Sequence, residues 1–194
     1  RVRAQARQGA QPPQEFLALG HLLDEMRLFK SADEVKLMQR AADISVLAHR
    51  AAMRAARPDI HEYELQAELE RVFRMHDAQP AYASIVGAGA NACVLHYRDN
   101  AARSRDGDLV LVDAGAEFQC YASDITRTWP INGRYSPPQR ALYELVLEAQ
   151  YRATLDFLSR QPGMLGEIFK KARPDIQNPA TLKRLIIDLI EPED

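Results

Sequence analysis

From Ser31 to Arg57 the chain repeats apolar residues at helical spacing. In SADEVKLMQRAADISVLAHRAAMRAAR, Val35, Met38, Ala42 and Val46 recur three or four positions apart, which predicts a helix. Ser31 and Glu34 make a capping-box pattern at its start, and Pro58-Asp59 ends it. The next periodic run, HEYELQAELERVFRMHDA, places Leu65, Leu69, Val72 and Phe73 on one helical face and stops before Pro80.

The texture then changes. AYASIVGAGANACVLHYRDN mixes short β-prone runs with glycines at 87 and 89, and GDLVLVDAGAEFQCYASDITRTWPING continues with a buried strand, a break at Gly115 and a second strand. One small antiparallel sheet is expected. SPPQRALYELVLEAQYRAT reads as a helix with Ser136 as N-cap, Pro137 at the first helical position and Gln139 completing a capping box. Two helices, several strands and a helix make an α+β pattern. Beyond a Pro162-Gly163 break, two further helices are expected, the second capped by Asn178 with Pro179 at its start. No internal repeat and no low-complexity segment stands out.

Length and charge narrow the function classes. At 194 residues the chain can bury a sizeable core as one large domain or two small ones. With 27 acidic against 25 basic residues, it has no basic excess for nucleic acid or an anionic membrane. No apolar run is long enough to cross a membrane and no signal-peptide pattern opens the chain. Cys93 and Cys120 lack zinc-site and CxxC spacing; they read as reduced thiols of a cytoplasmic protein, with a single disulfide left open. Arg1 stands where an initiating Met would, and the polar residues 1–21, with Pro12-Pro13, read as a linker or the remnant of an upstream domain.

The candidate chemistry lies in LVLVDAGAEFQCYASDITRTWP, which sets Asp113 and Asp124 in otherwise strand-like sequence. On neighbouring strands of one hairpin, with a turn near Glu117–Tyr121, both carboxylates could face the same side. Like charges that close need a shared proton or a cation. Carboxylate oxygens suit hard divalent ions such as manganese or magnesium, and a bridging carboxylate can hold two of them. Spacing alone leaves a plain alternative open, in which the two are turn or surface residues. His96, in CVLHYRDN, is equally open to a structural reading, and His21, His49, His61 and His76 draw no functional claim. Glu117 and Arg127 read as solvated or locally ion-paired.

GAGANACVLHYRDN, RDGDLVLVDAGAEFQCYASDITRTWPINGRY and MRLFKSADEVKLMQRAADIS resemble the aminopeptidase P (Xaa-Pro aminopeptidase) family of pita-bread metallopeptidases. The resemblance runs nearly without gaps over residues 22–153 and implies the first half of that family's catalytic domain. It implies that Asp113 and Asp124 are the first two acidic ligands of a dinuclear manganese site, one on a single ion and the other bridging both. His96 matches the histidine that contacts substrate and the tetrahedral intermediate. The implied activity is release of an N-terminal residue preceding proline, by attack of a metal-bridging hydroxide on the peptide carbonyl. Peptides with proline at the second position are the implied partners.

The resemblance also implies three later ligands, one histidine and two glutamates. No histidine follows His96, and Glu144, Glu148 and Glu167 sit in helical contexts. An incomplete pita-bread fold, truncated and inactive as this chain alone, is therefore expected. The exposed inner face of its half-sheet would be an aggregation liability or would need a partner, either a complementing C-terminal half or another copy of the chain. The segment IFKKARPDIQNPATLKRLIIDLIEPED resembles the helical N-terminal region of modification subunits of type I restriction–modification DNA methyltransferases. That makes 154–194 a helical tail of different origin, or simply a pair of amphipathic helices. Two further functions stay open: a non-catalytic peptide-binding or regulatory module on the same fold, and a fragment associated with DNA modification through its tail. The near-neutral charge counts against the second.

Overall fold

The computed structural model describes residues 18–160. Its internal contacts divide the chain after Asn132 into two units, each described by itself.

The first unit opens with α1 (Leu19–Leu28), α2 (Ala32–Ala55) and α3 (Glu62–Met75). Helix α1 starts inside the stretch assigned to a linker and buries none of its residues. The capping box of α2 forms as expected. Ser31 N–H donates to Glu34 Oε2 at 2.7 Å, and Glu34 N–H donates to Ser31 Oγ at 3.3 Å. The apolar residues that signal the helix do not all lie on its buried face. Val35 and Met38 are exposed, and the buried face runs through Ala41, Ile44, Ser45, Ala48, His49, Ala51 and Ala52. The small residues let the helix backbone approach the sheets closely, while the larger residues of the first turns stand clear of the core. Helix α3 buries Leu65, Leu69, Val72 and Phe73 as its periodicity requires.

The strands are β1 (Gln79–Pro80), β2 (Ile85–Ala88), β3 (Leu109–Ala114), β4 (Ala116–Phe118), β5 (Tyr121–Ala122) and β6 (Ile125–Pro130). A turn of 3-10 helix, Gly89–Cys93, follows β2. They form two antiparallel sheets, ordered β1-β4-β5 and β2-β3-β6, where the sequence suggested one. The reason lies at Gly115, where the chain passes from β3 of one sheet to β4 of the other. A Cβ there would sit 1.7 Å from the Ser123 carbonyl oxygen, so two backbone segments meet where only glycine fits. The β4–β5 hairpin turns on Gln119 and Cys120, both at positive φ, within the predicted turn.

Along β3 the side chains alternate. Val110, Val112 and Ala114 are fully buried, and Leu109, Leu111 and Asp113 are half-buried on the opposite face. The inner residues join Ile44 and Ala52 of α2, Leu65, Leu69 and Phe73 of α3, and Val86, Trp129 and Ile131 in one core cluster. The face expected to be an open inner surface is thus only partly open at β3.

The second unit contains α4 (Pro137–Arg160). Ser136 N–H donates to Gln139 Oε1 at 2.9 Å, the predicted capping contact. Glu144 and Glu148 pair with Arg140 and Arg152 at 2.8 Å, which fits their reading as helix-surface acids. The break at Pro162-Gly163, the later helices, Glu167 and the start of the chain before residue 18 lie outside the described residues.

Candidate metal centre

Strand alternation turns Asp113 away from the core, and the β3–β6 register places it opposite Thr126. Asp124 lies two residues upstream of Thr126, at the entry to β6, and is exposed. Both acids reach one atom. The Tyr82 hydroxyl lies 2.5 Å from Asp113 Oδ1 and 2.9 Å from Asp124 Oδ1. A phenol carries one proton and so donates to one carboxylate at a time. Burial, and then the two flanking carboxylates, push the Tyr82 ionisation far above the ordinary range, so the hydroxyl stays a neutral donor.

Helix α2 supports this geometry from behind. His49, 3% exposed, donates from Nε2 to the Ala114 carbonyl at 3.0 Å, one residue past Asp113. Ser45 Oγ lies 2.7 Å from Ser123 Oγ, one residue before Asp124, and accepts from Ala116 N–H at 2.7 Å. Ser123 Oγ also reaches the Ala41 carbonyl at 3.1 Å. Burial holds the His49 imidazole below its usual range; the bond to Ala114 opposes that shift.

The donor set suits a hard divalent cation only in part. Two carboxylates sharing a single proton leave negative charge that a cation would neutralise, and their oxygens match manganese or magnesium. Among the described residues, however, no group of three histidine, cysteine, aspartate or glutamate side chains could hold a metal ion. Asp113 and Asp124 fit two positions of a centre, not a whole one.

His96 follows the 3-10 turn, exposed and at φ +55°. No hydrogen bond or ion pair joins it to either acid among the described residues. The structure therefore brings the two acids to one hydroxyl and bonds His96 directly to neither of them among the described residues. Glu117 accepts from Gln79 Nε2 at 3.0 Å and Arg127 donates to the Thr126 carbonyl at 2.8 Å, hydrogen bonds to neutral partners rather than local ion pairs. Cys93 and Cys120 are free and exposed.

Two residues went unnoticed in the sequence. Tyr82, in a loop ahead of β2, gives no periodic or motif signal. Glu62 does give one: it lies three residues before Leu65, on the apolar face of α3, and is 1% exposed.

Comparison with known proteins places these observations. A model of metallopeptidase family M24 matches residues 36–183. The chain is 53% identical over 140 residues to the Xaa-Pro aminopeptidase of Haemophilus influenzae, an alignment covering 72% of this chain and 33% of that protein. It resembles the structure of the aminopeptidase PepP of Pseudomonas aeruginosa with a TM-score of 0.78 and 52% identity, covering 99% of this chain and 42% of the other. A variant of Escherichia coli aminopeptidase P solved in complex with substrate gives a TM-score of 0.74 and 36% identity, over 88% of this chain and 44% of that one. The chain spans about a third of the length of the curated relatives it matches. With a family model over most of its residues and an aminopeptidase P fold over those described, the chain belongs to metallopeptidase family M24.

Proposed function

We propose that residues 22–153 are the first half of an aminopeptidase P-type catalytic domain, which removes an N-terminal residue preceding proline. The observation that carries this is the convergence of Asp113 and Asp124 on the Tyr82 hydroxyl. A repelling acid pair, held in place by a buried serine and histidine framework, has a purpose if it receives cations. Asp113 and Asp124 would hold manganese, and bound manganese supplies a water-derived nucleophile near neutral pH.

The chain's own residues do the rest. Tyr82 steadies one carboxylate by hydrogen bonding and leaves the outer oxygens of both free. Backbone contacts through Ala114, Ala116 and Ser123 fix the spacing of the acids. His96, exposed on its loop, donates a hydrogen bond to the oxygen that gains negative charge as the peptide carbonyl is attacked. The substrate is a peptide with proline second. Two free, exposed cysteines suit a cytoplasmic setting.

With two acids in place of a full ligand set, this segment by itself is inactive. A C-terminal half supplying one histidine and two glutamates would complete the ligand set. Hydrolysis of an Xaa-Pro dipeptide with manganese tests the reading. The segment alone gives none, the mixed halves give activity, and Asp113→Ala abolishes it. Unaltered activity in Asp113→Ala would overturn the assignment.

A further inference from the structure

We infer that Glu62 is the positioning residue for His96: a buried carboxylate that clasps both flanks of the loop carrying it. The inference rests on the reading of His96 given above. Glu62 lies at the start of α3 and is 1% exposed, a costly place for an acid unless every lone pair is used. All are in use. Oε1 accepts from Ala88 N–H at 2.8 Å and from Asn91 Nδ2 at 3.0 Å, on the side that enters the loop. Oε2 accepts from the Tyr97 hydroxyl at 2.8 Å and from Ala102 N–H at 2.9 Å, on the side that leaves it. Asn91 Nδ2 reaches the Tyr97 hydroxyl as well, at 3.0 Å, so the two flanks are tied to each other.

His96 is the residue before Tyr97 and sits at φ +55°, a left-handed conformation that non-glycine residues seldom adopt without support. Val94 and Leu95 beside it are exposed, Leu95 by 84%, so apolar packing does not hold this tip. A second buried side chain completes the fixture. Asn100 donates to the Ser84 carbonyl and to Gln66 Oε1, both at 2.8 Å, and accepts from Val86 N–H at 3.0 Å. The loop is anchored through polar groups on its flanks while its tip faces solvent. That arrangement presents a side chain rather than filling a core.

The test is hydrogen exchange by NMR on the 194-residue chain and on Glu62→Gln. The amide is isosteric but turns a donor toward groups that are themselves donors. Amides of residues 89–102 should exchange about tenfold or more faster relative to β3 amides, and the His96 ring signals should broaden or split. Leu69→Ala, a core change on the same helix, serves as control and should leave the loop-to-strand ratio unaltered. Tyr97→Phe removes one donor and should loosen residues 94–99 alone, which carries the test if Glu62→Gln does not fold. Equal acceleration of loop and strand in both Glu62→Gln and Tyr97→Phe, with sharp and unmoved His96 signals, overturns the clasp. The readout does not involve catalysis. Full hydrolysis by His96→Ala in the mixed halves would retire the role given to His96, while the exchange result decides the clasp independently.

Discussion

Asp113 and Asp124, eleven positions apart in sequence, each direct Oδ1 at the same hydroxyl, that of Tyr82, at 2.5 and 2.9 Å. One proton between two carboxylates leaves their repulsion only partly relieved in the absence of a cation. Neutralising either acid should therefore raise the stability of the metal-free segment. Asp113→Asn and Asp124→Asn are each expected to gain roughly 1 kcal/mol or less, because both sites are partly screened by solvent. Thermal unfolding in chelator checks this, and a lower Tm in both variants would count against a strained pair.

Tyr82→Phe should act in the opposite direction. Without the hydroxyl the two acids face each other with no donor between them, and unfolding should become easier by about 1–2 kcal/mol. Combining Tyr82→Phe with Asp124→Asn should recover part of that loss. A double-mutant cycle in urea measures the coupling.

The passage of the chain between its two sheets depends on Gly115, whose missing side chain admits the Ser123 carbonyl. Gly115→Ala would force the two segments apart and displace Asp124 with them. A loss of about 3 kcal/mol or more, or failure to fold, is expected by urea denaturation. Gly107, where nothing lies within 4 Å of an added Cβ, provides the comparison. Its φ of +87° means that Gly107→Ala costs backbone strain alone, about 1 kcal/mol.

His49 makes stability depend on pH. Burial lowers its folded-state value below the ordinary 6.5, so the unfolded chain binds the proton more readily. The contribution is intact above about pH 6.5 and is lost as pH falls from there toward the folded value. Urea midpoints between pH 7.5 and 5 should decline in the wild-type chain and decline less in His49→Gln, which retains a donor to Ala114. Parallel decline in the two proteins would show that His49 is not the group responsible.

Much of the fold was legible before coordinates. The Ser31–Glu34 box, the Leu65–Phe73 face and the Ser136–Gln139 contact follow from local rules that act within one turn of helix. The inward face of α2 was not, because alanine and serine carry little hydrophobic signal yet pack closest. Nor was the division into two sheets, since Gly115 announces a break but not where the strand beyond it pairs. Asp113 and Asp124 stood out as charges in a strand context. Tyr82 did not, because a loop tyrosine acquires its role only when β3 and the entry to β6 arrive beside it. Glu62 could have been found: an acid on an apolar helical face needs partners, and the structure supplies four.

Calorimetric titration of manganese into the segment mixed with a C-terminal half that carries the one histidine and two glutamates proposed above tests the two acids most directly. Tight binding of two ions per complex is predicted, with weak or no binding to the segment alone and loss of binding in Asp113→Ala and Asp124→Ala. Uptake that is unchanged in both variants would contradict the account.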